Sequence, residues 1–187
     1  MIPVKKKTLL NLLLFAFVLS FFVTPIGYHA KVWLNQLFSG SAVIVPEEKR
    51  ERLPNYNWRL KDGNWDFFSF DRSKGQVVFI NFWASWHLPC AAELADIQKL
   101  YDDYGDRVHF YLITNEMREP VQQFMAEKKF TFPVTYQIIG DPSPLELLKP
   151  PGSYILDREG DIVVKQKDIA DWDNAKIRAL LDELLAE

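Results

Sequence analysis

The chain of 187 residues holds one cysteine, Cys90, and three histidines, His29, His87 and His109. One thiol excludes any internal disulfide and any four-cysteine metal site. It does not fix the compartment, because a reduced thiol can exist on either side of a membrane. Charge is missing altogether between Thr8 and Tyr28. The formal net charge of -3 carries no basic excess, so nothing points to nucleic acid as a partner. The sequence contains no internal repeat and no low-complexity tract.

What is present begins with a run of apolar residues. Lys5, Lys6 and Lys7 precede Leu9 to Val23, which is almost entirely apolar. A spanning helix needs about 20 residues of that kind. Flanking lysines stay in the cytoplasm, which would place the remainder outside, in the periplasm of a two-membrane bacterium. A cleaved signal peptide is the rival reading, yet no small-x-small cleavage site follows the run closely. The expected division is a signal anchor over 1–27, a juxtamembrane linker over 28–55 and a globular domain over 56–187. Within the linker, Val32, Trp33, Leu34, Leu37 and Phe38 could form a short interfacial helix, or simply part of a stalk. Glu47 to Arg52 reads as a solvated charge run.

The domain is organised around Val77-Val78-Phe79-Ile80-Asn81-Phe82-Trp83. A run this rich in β-branched and aromatic residues predicts a strand buried on both faces. The pattern breaks at Ser85 to Pro89. Leu94, Ile97, Leu100, Tyr101 and Tyr104 then recur at helical spacing up to Gly105. Cys90 falls in the first turn of that helix. Upstream, Trp58 to Leu60 and Trp65 to Phe70 flank Asp62-Gly63, a strong hairpin signal. Downstream the pattern predicts a strand over 108–114, a helix with Pro120 at its first position, and a weaker strand over 132–138. A short helix over 144–149 and strands over 152–156 and 162–165 follow. Asp157 to Gly160 makes the turn between those strands, and a last helix is capped by Asp173.

The wording Asn81-Phe82-Trp83-Ala84-Ser85-Trp86-x-x-Pro89-Cys90-x-x-Glu93 resembles the membrane-anchored TlpA-type, or ResA-type, thiol-disulfide oxidoreductases. The resemblance implies an α/β thioredoxin fold, a central mixed sheet flanked by helices, with an N-terminal β-hairpin extension and a transmembrane anchor. It implies a role in cell redox or envelope thiol homeostasis, with protein thiols or disulfides as partners and no cofactor. It also identifies Pro151, in Pro151-Gly152-Ser153-Tyr154-Ile155-Leu156-Asp157, with the family's cis-proline, which packs beside the cysteines. Pro150 departs from the pattern, since it lacks the N–H that could donate to a docked peptide.

The larger departure is at the site itself. The family carries Trp-Cys-x-Pro-Cys where this chain has Trp86-His87-Leu88-Pro89-Cys90. The missing first cysteine is the one whose thiolate the helix N-terminus stabilises for attack on a disulfide. Imidazole forms no disulfide, so the ordinary dithiol cycle is chemically closed. Three readings of the pair stand open. The scaffold is kept and Cys90 is a small buried hydrophobe. Or His87 takes the proton of Cys90 and makes it a lone nucleophile. Or the two supply part of a metal site, for which no third ligand is evident. No metal is expected. Trp86 and Pro151 are the expected docking residues, for a thiol substrate or for a non-redox protein partner. Glu93, one turn beyond Cys90, and Glu116, after the second central strand, are the remaining candidates. A solvated helix face accounts for Glu93 equally well.

Overall fold

The protein is described by a computed structural model covering residues 6–24, 27, 30–32, 34 and 40–187. Lys5, His29, Trp33, Leu37 and Phe38 lie outside the described residues, and with them most of the interfacial-helix expectation. Helix α1 (Lys6–Val23) has 18 residues, and its apolar side chains from Leu9 to Leu19 are exposed all round. At 1.5 Å per residue it is about 27 Å long, and it includes two lysines. Among the described residues no helix is long and apolar enough to cross a membrane.

The domain is one mixed sheet of seven strands: β1 (Arg59–Lys61), β2 (Phe67–Ser69), β3 (Val78–Phe82), β4 (His109–Thr114), β5 (Val134–Gln137), β6 (Gly152–Leu156) and β7 (Ile162–Gln166). Their spatial order is β2-β1-β5-β4-β3-β6-β7. Strand β3 pairs in parallel with β4 and antiparallel with β6, and every residue in it is buried. Its alternate side chains feed two cores. Phe79 enters the one built on helices α2 (Leu88–Tyr104), α3 (Arg118–Lys128) and α4 (Ala175–Ala186). Val78, Ile80 and Phe82 enter the other, under the hairpin β1–β2, Phe70, Leu145 and Leu148. Each large apolar side chain so buried contributes roughly 1.5–3 kcal/mol. The connectivity, a βαβ unit followed by a ββα unit with a hairpin in front, is the one the family resemblance implies.

Local expectations hold with shifts of one or two residues. Asn174, not Asp173, caps α4, accepting from the backbone N–H groups of Lys176 and Ile177. Asp173 binds Arg178 instead. Helix α3 starts at Arg118, so Pro120 is its third residue, a position where the N–H that proline lacks would have no intrahelical partner. Gly160 closes the β6–β7 turn at φ +85, a conformation that favours glycine.

Two expectations are overturned. Residues 144–149 form no helix. They run as an irregular segment that inserts Leu145 and Leu148 into the second core and delivers the chain to a cis Pro150–Pro151 bond. A Cβ at Gly152 would lie 2.5 Å from Leu148 Cβ, so the segment packs this closely only because residue 152 has no side chain. Nor is the stretch before residue 56 a free linker. From Ser41 to Leu53 it forms a strap along β7, with bridges Ile44–Val164 and Arg52–Asp161. The Val45 N–H donates to Val163 O at 2.8 Å, and that of Leu53 to Gly160 O at 2.8 Å. Ala42 and Leu53 are buried, and Arg52 grips Asp161 and Glu159.

Candidate functional site

The sheet brings the predicted site residues to one end. Strands β3, β4 and β5 run parallel and finish there, while β6 begins there, Gly152 facing Phe82. The chain leaving β3 stays buried through Trp83, whose N–H donates to Ile113 O at 2.9 Å, and Ala84. It surfaces at Ser85 and turns into α2. Trp86 projects into solvent, 75% exposed. His87 is the N-cap of α2, in extended conformation, without a capping bond from its side chain.

Cys90 lies one turn inward, 1% exposed. His87 Nδ1 stands 3.3 Å from Cys90 Sγ, so the two share a contact as an i,i+3 pair should. Contact has not made the thiol acidic. Burial pushes it up to about 12, with a smaller opposing effect from the backbone at Ala84 and further upward pushes from Glu93 and Glu116. The thiolate needed for nucleophilic attack is therefore disfavoured. His87 and Cys90 supply two donors, and among the described residues no group of three or more His, Cys, Asp or Glu could hold a metal ion. His109 begins β4, at the other end of the sheet, where its Nδ1 lies 3.2 Å from Ser73 Oγ.

The two carboxylates behave differently. Glu93 is 1% exposed, which corrects the solvated reading. Its Oε1 accepts from Trp172 Nε1, and Oε2 has no partner. Burial pushes its pKa up to about 8, against the lowering effect of the Trp172 bond. Trp172 was not foreseen as part of the site. It is fully buried, edge-on to Phe79 at 4.9 Å between ring centroids. Glu116 is a clamp: its carboxylate accepts from Ser85 N at 2.6 Å and from Ser85 Oγ at 2.7 Å. It ties the loop after β3 to the loop after β4. Ser85 is the other residue that the sequence did not mark.

Pro151 is buried and its peptide bond with Pro150 is cis. Gly152 opposite Phe82 sets Pro151 at the same sheet end as the Ser85–Cys90 turn. Pro150, just before Pro151, has no N–H to offer a docked chain. A separate cleft of about 490 Å³ is lined by residues including Trp58, Arg59, Phe67 and Asp141, and contains neither the thiol nor a histidine.

The AhpC/TSA family model matches residues 51–165. The chain is 28% identical over 133 residues to the thioredoxin-like protein YneN of Bacillus subtilis, covering 69% of this chain and 76% of that one. It is 35% identical over 92 residues to the thiol-disulfide oxidoreductase ResA of Oceanobacillus iheyensis, 48% of either chain. The match thus spans about half the length of that ResA. Among solved structures it resembles a DsbF homologue from Corynebacterium diphtheriae, with TM-score 0.60 and 17% identity over 79% of this chain and 93% of that one. It also resembles a secreted thiol-disulfide isomerase from Corynebacterium glutamicum, with TM-score 0.60 and 18% identity over 78% and 92%. At those identities the structural likeness concerns the fold alone.

Proposed function

The chain belongs to the AhpC/TSA family, as a thioredoxin-like member of TlpA/ResA type, and we propose that it keeps the family's docking groove without its dithiol chemistry. It is read as an extracytoplasmic protein of envelope thiol homeostasis, tethered to the cell membrane by α1. Supporting the tether are the apolar run of that helix, exposed from Leu9 to Leu19, and the lysines that precede it. The groove between Trp86 and cis-Pro151 engages a protein partner.

One observation carries the redox part of this reading. The only thiol is 1% exposed and pushed up to about 12, and the exposed attacking position is His87. In an insulin-reduction assay with dithiothreitol, the full chain should add nothing to the rate of reductant alone. Turnover at the rate of a two-cysteine thioredoxin, abolished by Cys90→Ser, would overturn it. A second reading, a single-thiol enzyme, is favoured by the 3.3 Å His87–Cys90 contact. It requires that His87→Ala lower the reactivity of Cys90 several-fold.

A further inference from the structure

Large apolar side chains left exposed are not scattered over this domain. Among its described residues seven are exposed: Val43, Trp65, Phe67, Trp86, Met117, Ile139 and Leu147. Trp86 follows β3, Met117 follows β4, Ile139 follows β5, and Leu147 precedes β6. All four therefore sit on neighbouring loops at the site end. Val43 lies beside Gln166, the residue of β7 opposite Ser153, near the same end. Trp65 and Phe67 lie to the side of this row, on the β1–β2 hairpin, with the Arg59 guanidinium over the Phe67 ring. Single exposed apolar residues are ordinary on a monomer, but five gathered at one end make a patch.

The strap runs towards the same half of the domain. It faces Asp161 at Arg52, at the far end of β7, then Val164 at Ile44. Gly40 O accepts from Asp171 N at 3.0 Å, next to Trp172, which binds Glu93 in the second turn of α2. The chain from α1 thus enters on the site half. The residues between Val23 and Gly40 span at most about 55 Å even fully extended, so that half stays within reach of whatever holds α1.

We propose that the site end of the domain rests against the lipid surface, with Trp86 and its apolar neighbours at headgroup depth. The inference rests on the reading of α1 as a membrane tether. The patch is a row of separate loop tips rather than a closed pocket, which suits a flat interface. Its central residue is tryptophan, whose amphipathic ring favours that depth. Of the carboxylates at this end, Glu116 is held by Ser85, Asp141 by Arg59, and Glu146 by Lys165 and Lys167, while Glu119 in the first turn of α3 and Asp168 just beyond β7 are exposed. A protein partner that reaches the Trp86–Pro151 groove must then present itself at the bilayer surface.

The test uses the full chain with phosphatidylcholine vesicles containing acyl-brominated lipid, first by flotation and then by tryptophan quenching. The chain should float, and Trp86→Phe should lose a bromine-quenched component of the emission that Trp65→Phe retains. If the chain floats but Trp86→Phe is quenched like the parent, the orientation is wrong while the tether stands. The rim then belongs to a protein partner or a second copy. If Trp65→Phe loses a quenched component as large, the contact is not specific to the site end and the proposal falls. If the chain does not float, the tether reading fails and the proposal fails with it.

Discussion

Alkylation of Cys90 is the most direct measure of what the site has become. A thiol of ordinary pKa 9.0 pushed to about 12 loses thiolate heavily. At pH 8 the thiolate fraction falls from about one in ten to about one in 10⁴, a factor of ~10³. Access lowers the rate further. Cys90 is 1% exposed, and the turn before it is pinned by the two Glu116–Ser85 bonds. Iodoacetamide labelling of the full chain, followed by mass spectrometry between pH 7 and 10, should run at least ~10³ slower in the native state than in denaturant. The logarithm of the native rate should climb with pH without reaching a plateau. A native rate within about tenfold of the denatured one, or a plateau below pH 9, would show that His87 does activate the thiol.

Glu93 should make the fold sensitive to base. Its folded pKa is raised from 4.5 to about 8, so the stability linked to its proton is fully present below 4.5 and is lost as the pH climbs towards 8. The loss is at most ~1.4 kcal/mol per pH unit, and Glu93→Gln should flatten it, as urea midpoints at pH 5 and 8.5 would reveal. His87→Cys should create a redox pair, because the side chain it replaces already touches Sγ. Mild oxidation should remove two protons from the variant, by mass, and none from the parent. A variant that stays reduced would mean that Cys90 does not hold the second-cysteine position.

What could be read from residue types was whatever a local pattern encodes. The Val77–Trp83 run, the helical stripe from Leu94 to Tyr104 and the Asp-Gly hairpin signal each state their structure within a few residues. Glu93 could not be read this way. Its burial depends on Trp172, 79 positions along the chain, and no spacing rule connects the two. The Glu116–Ser85 clamp is likewise a contact across two loops. The charges from Glu47 to Arg52 are mostly exposed, as their pattern states, but the pattern does not say that Arg52 owes its position to Asp161 and Glu159 in another turn. The supposed helix over 144–149 has the right composition, but the close approach of Gly152 to Leu148 favours an irregular segment packed on the core.

The strap also bears on how the protein avoids association. A seven-stranded sheet has two edges, and unpaired edges invite strand-to-strand aggregation. Here β7 is covered by residues 41–53, so β2 is the edge left bare. That edge is only three residues long, and Trp65, at φ 69, lies in the tight turn that leads into it. A fragment trimmed to the family-matched residues 51–165 would lose the Ile44 bridge and expose β7 as a templating edge. The segment that joins the domain to its N-terminal helix is thus also what keeps the sheet from growing.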